Sequence, residues 1–166
     1  YYSAEFLRIN LELTKFLNPY GNASWIIADN TPNQAEDLTA LCSGEALVLQ
    51  GSSYDANRER PASYHHASSL HIALAEVETP YVLILDPDFY IVRPDWISSV
   101  LAHMQANDLA FFGVPWHPQW GIKYRYFPCI HCLFINLDKI PIQSLDFLPG
   151  QKITPPNALK VKAETY

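Results

Sequence analysis

Apolar positions recur along the chain at two spacings. Between residues 4 and 17, Phe6, Ile9, Leu13 and Phe16 fall on one helical face, widened by Leu7 and Leu17, and predict an amphipathic helix. Asn18-Pro19 and Gly21 end it. Trp25-Ile26-Ile27-Ala28 is a short apolar run, predicted as a buried strand that stops at Asp29-Asn30. Thr31 has the position of an N-cap, with Pro32 at the first helical position and Gln34 completing a capping box, so a helix is expected through about Leu41.

The second half repeats the alternation. Ala46-Leu47-Val48-Leu49 predicts a strand, and 51–60 has loop composition. From Pro61 a helix is expected over 62–77, with His66, Leu70, Ala73, Leu74 and Val77 on one face, ended by Thr79-Pro80. Tyr81-Val82-Leu83-Ile84-Leu85 is the clearest buried strand and runs straight into Asp86-Pro87-Asp88. Asp95 is placed to cap a helix carrying Ile97, Val100, Leu101 and Met104 on one face. Strands over 109–114 and 132–137 flank an ordered loop, 115–128, rich in Trp, His, Pro and Tyr. Beyond Pro149 the periodicity is lost, giving one domain over 1–149 and a loop or tail over 150–166. Strands alternating with helices predict an α/β fold, a parallel or mostly parallel sheet with helices on both faces. Ligands of such sheets bind beyond the carboxyl ends of the strands. Asp29, Asp86 and Asp88 stand at two such ends.

Composition narrows the classes. The 166 residues are 49 % apolar and 17 % charged, which excludes global disorder and allows a sizeable core. A net charge of −6 argues against a nucleic-acid partner, which favours a basic face. It leaves an anionic substrate open, because a bound divalent cation supplies local positive charge. Cys42, Cys129 and Cys132 are too few and odd in number for a disulfide framework, so a reducing compartment is expected. No apolar run approaches the roughly 20 residues of a membrane span. A cytoplasmic protein is expected, or one peripheral at the inner membrane face. Tyr1-Tyr2-Ser3 shows no leader region and no initiator Met, which suits a fragment or processed form. Asn22-Ala23-Ser24 fits a glycosylation sequon.

Asp86-Pro87-Asp88 carries the strongest chemical signal. Two carboxylates two residues apart at a strand end suit one hard cation, Mg²⁺ or Mn²⁺, which keeps open positions for substrate phosphates. Proline between them stiffens the turn. The stretch Tyr81 to Val92 resembles the Asp-x-Asp strand of the GT-A glycosyltransferases (nucleotide-diphospho-sugar transferases), especially the large inverting family 2. The helix His66 to Ala75 is similar to that family's helix leading from the nucleotide pocket, and Trp25 to Thr31 to its second strand. The likeness in order and spacing covers about residues 4–138.

The resemblance implies a Rossmann-like GT-A sheet in which Asp86 and Asp88 face the donor, one toward the ribose and one toward the metal. It implies that Asp29 contacts the base or ribose of the nucleotide. Two departures stand out. The chain begins almost on the family's first helix, so the opening strand is expected in missing upstream sequence, with the domain incomplete at its N-terminus. No Glu-Asp pair follows Asp88. Of the downstream acids Asp138 and Asp146, Asp146 is the better placed as catalytic base, unless the base lies outside the chain. In the 115–128 loop, Trp116 and His117 are the first choices for acceptor contacts, since aromatic rings stack on sugar faces. Lys123 and Arg125 suit phosphate. Cys129-Ile130-His131-Cys132 lacks a fourth zinc ligand, and its neighbours point to opposite sheet faces. His131 alone is expected to face the acceptor side. His66 is expected in the packed stripe of its helix, with His65 and His71 partly exposed.

The expected activity is sugar transfer from a UDP- or GDP-linked donor to a hydroxyl of a saccharide, lipid or protein acceptor, with inversion favoured over retention. Two alternatives stay open. One is a sugar-nucleotide-forming nucleotidyltransferase, which needs a Gly-rich basic loop not visible here. The other is a non-catalytic nucleotide- or sugar-binding domain of the same fold.

Overall fold

The computed structural model describes residues 3–31, 38–42, 44–52, 60–115, 127–149 and 163–165. Their elements run α1 (Ala4–Leu17), β1 (Trp25–Asp29), α2 (Leu38–Leu41), β2 (Ala46–Gln50), α3 (Ala62–Leu74), β3 (Tyr81–Leu85), α4 (Trp96–Ala106), β4 (Phe111–Gly113), β5 (Cys132–Asn136), a 3-10 turn at Ile142–Ser144, and β6 (Ala163–Thr165). The alternation of helix and strand in the sequence is therefore real. Among the described residues no helix is long and apolar enough to cross a membrane. Two compact units form: residues 1–8, 22–78 and 142–155 make the first, and 9–21, 79–141 and 156–166 the second.

In the first unit β1 and β2 lie parallel, from Trp25 opposite Ala46 to Asp29 opposite Gln50. α3 packs on β1. It buries His65, Ala67, Ser69 and Leu74 and ends at Leu74, three residues short of the expected Val77. His65 and not His66 is the enclosed imidazole, 1 % exposed. Ser52 Oγ lies 3.0 Å from His65 Nδ1, which gives that ring nitrogen a polar partner inside. Ala and Ser on both sides of α3 leave too weak an apolar stripe to fix its rotation from sequence.

The second unit holds a four-stranded sheet in the order β3-β5-β4-β6. β5 runs antiparallel to both β3 and β4, and β6 runs parallel to β4. The α/β class expected from the sequence holds, while a single, mostly parallel sheet is not shown among the described residues. β3, α4 and β4 do form a parallel crossover, but β5 fills the slot between the two strands in the opposite sense. A strand returning against its neighbours needs no crossover helix, and the segment before β5 carries no helical periodicity. All five residues of β5 are buried, as a central strand requires. Of β3, the run that reads as most buried, only Ile84 is fully enclosed. Trp96 and Met104 of α4 join Leu109, Phe112, Cys132 and Phe134 in the core, with Trp96 edge-on to Phe134 at 5.9 Å. Gly113 is required by proximity: a β-carbon there would lie 2.2 Å from the Cys132 carbonyl oxygen.

α1 corrects a second expectation. Its buried residues are Asn10, Leu11 and Thr14, while Phe16, on the apolar stripe, is 80 % exposed. Ile9, Glu12, Leu13 and Phe16 line an open groove. Hydrogen bonds set the helix rotation instead. Asn10 Nδ2 donates to the Pro87 carbonyl at 2.8 Å. Asn18 Nδ2 donates to the Thr14 carbonyl at 2.9 Å, and Asn18 Oδ1 accepts from the Ile97 amide at 3.0 Å. Asn18 thus satisfies an orphan amide at the start of α4. Asp95, expected to cap α4, stands at the cap position with φ 53° and makes no side-chain cap bond.

Candidate functional site

The Asp86-Pro87-Asp88 segment leaves β3 as a hydrogen-bonded β-turn. The Phe89 amide donates to the Asp86 carbonyl at 3.0 Å, which sets Asp at the first turn position and Pro at the second, both favoured there. The Asp86 amide donates to the His131 carbonyl at 2.9 Å, extending the β3–β5 ladder past Leu85 and Cys132. Asp88 is exposed. The Asp86 side chain is 19 % exposed and its Oδ2 meets Nδ1 of His131, whose ring is 56 % exposed. A carboxylate oxygen only accepts, so Nδ1 carries the proton. The Asn10 amide grips the same turn from α1 through the Pro87 carbonyl.

His131 owes its position to a second turn. The Cys129 amide donates to the Val114 carbonyl at 2.7 Å, and the Cys132 amide to the Cys129 carbonyl at 3.3 Å. Both thiols are buried. Burial pushes Cys132 up to about 12, and the neighbouring Cys129 adds to the rise. Cys129 is raised by burial, pulled back by the His131 backbone amide, and pushed further by the Asp86 carboxylate. Among the described residues no three His, Cys, Asp or Glu side chains converge as a metal cage.

Asp29 belongs to the first unit. It is 8 % exposed, and its Oδ1 accepts from the Thr31 amide at 2.8 Å, closing an Asx turn. Its carbonyl accepts from the Gly51 amide at 2.8 Å. Around it lies a polar group that the sequence reading did not single out. Ser69 Oγ donates to Asn30 Oδ1 and accepts from the Ser52 amide. A β-carbon on Gly51 would stand 2.3 Å from Asn30 Oδ1, so glycine directly after β2 was the one available signal. This polar group caps the carboxyl ends of the parallel pair, where the ligand rule of such sheets places a crevice.

The remaining sequence candidates divide. His131 is brought to Asp86. Asp146 lies in the first unit, its side chain 47 % exposed and 3.9 Å from His71 Nε2. Its Oδ1 accepts from the Leu148 amide at 2.9 Å, and the Phe147 amide donates to His71 at 3.3 Å. Trp116 and His117 lie outside the described residues, as do Pro32 and Gln34 of the expected capping box. The positioning contacts of Asn10 and His131 had no sequence signal, since both link residues distant along the chain. No protein-family model, no curated protein and no solved structure matches this chain.

Proposed function

We propose that the chain is a metal-dependent glycosyltransferase domain that takes a nucleotide-diphosphate sugar as donor. The observation that carries the reading is the Asp86-Pro87-Asp88 turn at the end of β3, with one exposed carboxylate and one oriented by His131. The donor set suits a hard cation, because Mg²⁺ is commonly held by one or two carboxylates and completed by substrate phosphates. Asp86 and Asp88 are the residues that would hold Mg²⁺ or Mn²⁺. Such an ion supplies Lewis acidity that stabilises the departing nucleoside diphosphate.

In this reading Asp29 and the polar group beside it serve the nucleoside. An acceptor hydroxyl, from a saccharide, lipid or protein, attacks the anomeric carbon as the bond to the diphosphate breaks. Its proton passes to a carboxylate in the inverting case. Asp146, flanked by His71, is the acid assigned to that role. Trp116 and His117 are assigned to the acceptor.

Calorimetry of UDP and GDP binding with and without Mn²⁺ tests the reading, followed by nucleoside diphosphate release from a panel of donors. Mn²⁺-dependent binding of one nucleotide is expected, abolished in Asp88→Asn with unchanged thermal stability because Asp88 is exposed. Donor turnover should fall by about 10²-fold or more in Asp146→Asn if it is the base. Nucleotide binding without turnover of any donor selects the non-catalytic alternative. Indifference of binding to both Mn²⁺ and Asp88→Asn sinks the metal site.

A further inference from the structure

We infer that Asn10 and His131 are positioning residues that clamp the Asp86-Pro87-Asp88 turn from two sides before any cation arrives; this rests on the metal-site reading above. The Asn10 side chain reaches from α1 to the backbone between the two acids, 2.8 Å from the Pro87 carbonyl and 77 residues away in sequence. Asn10 is 3 % exposed. A buried primary amide is costly without a partner, so the contact persists as long as α1 stays docked. It fixes the peptide that sets the spacing of Asp86 from Asp88. His131 acts on the side chain itself. Its carbonyl accepts from the Asp86 amide, and its ring N–H meets Asp86 Oδ2. One carboxylate oxygen is thereby oriented by the imidazole, which fixes the rotamer of the Asp86 side chain. Partners of this kind fix the rotamer of a ligand and lower the ordering cost of binding.

The arrangement accounts for two oddities of the chain. α1 turns polar Asn10 inward and leaves Phe16 in solvent, which is unexpected for a helix that serves packing alone. His131 is the exposed member of a turn whose two cysteines, Cys129 and Cys132, are buried, held where its ring reaches the acid at the end of the neighbouring strand.

The test is a Mn²⁺ titration in saturating UDP, with free Mn²⁺ read by electron paramagnetic resonance and thermal unfolding measured alongside. Asn10→Leu keeps the side chain's bulk and removes the donor; His131→Ala removes the ring. Each should weaken Mn²⁺ binding about tenfold or more. His131→Asn, which returns an N–H near the place of Nδ1, should restore most of the loss. Asn18→Ala, a variant of the α4 cap remote in role from the turn, should lower the melting temperature and leave Mn²⁺ affinity unchanged. Wild-type affinity in both Asn10→Leu and His131→Ala overturns the clamp while leaving the metal site standing. A wild-type protein that takes up no Mn²⁺ overturns the metal site and the clamp together. Should Asn10→Leu fail to fold, His131→Ala decides alone, because an exposed ring is removable without loss of the core.

Discussion

Single residues here act through what they exclude as much as through what they bind. Asp86 and Asp88 were legible in the sequence, since two acids closing an apolar run are conspicuous. The contacts of their turn with Asn10 and His131 were not, although His131 itself was singled out, because a hydrogen bond across 77 or 45 positions leaves no local pattern. The same blindness applied to Cys132. Its spacing from Cys129 suggested only a weak zinc motif, whereas its enclosure sets its chemistry. The folded state holds this thiol at about 12 against an ordinary 9.0, mainly by burial. The protonated form is therefore the one that the fold favours. Its contribution is full below pH 9 and is lost as pH climbs toward 12. Urea unfolding across that alkaline window should show a stability decline that is shallower in Cys132→Ala, by about a few kcal/mol at most. An identical decline in the variant would remove Cys132 as its source. Below pH 9 the wild-type thiol should also resist aromatic disulfide reagents until the chain unfolds.

At the level of elements, the reading of type and order held for the regular strands and helices, and failed where polar contacts choose between faces. α1 and α3 were placed correctly along the chain, yet each is rotated from its apolar stripe because Asn10, Asn18 and His65 find partners inside. β6 was invisible, being three residues within a stretch of no periodicity. The direction of β5 was likewise beyond periodicity, since an apolar run reads the same in a parallel or an antiparallel slot. The start of α4 gives a measurable instance. Asp95 has the sequence of a cap, but Asn18 performs the capping from the end of α1. Asn18→Ala should cost about 1 kcal/mol or somewhat more in urea unfolding, as loss of a cap does. Asp95→Asn should stay within about 0.5 kcal/mol, because its side chain makes no cap bond and Asn tolerates positive φ. Equal losses in the two variants would return the cap to Asp95.

Across the whole molecule the two units differ in how firmly their sheets are built. In the second, β5 is hydrogen-bonded on both edges, by β3 and by β4, and every one of its residues is buried. Ile135 and Met104 have no solvent exposure at all. In the first, β1 pairs with β2 alone among the described residues, and only Ile27 and Asp29 of its five are buried. A two-stranded sheet is marginal by itself and depends on the helix packed against it, here α3. Local opening follows buried contact and doubly satisfied backbone, so native-state hydrogen exchange should be graded accordingly. The amides of Leu133, Phe134 and Ile135 are expected to exchange slowest in the chain, and those of β1 and β2 measurably faster. Addition of UDP with Mn²⁺ should then slow exchange at the Asp86 and Phe89 amides, which lie in the turn itself. Any ligand that binds the folded form alone stabilises it, by about 2.7 kcal/mol at a hundredfold excess over its dissociation constant. Protection that grows in β5 and in the Asp86 turn, but vanishes in Asp88→Asn, locates the nucleotide and its cation at the end of β3. Protection that stays as large in Asp88→Asn places the nucleotide elsewhere and removes the carboxylates from its site.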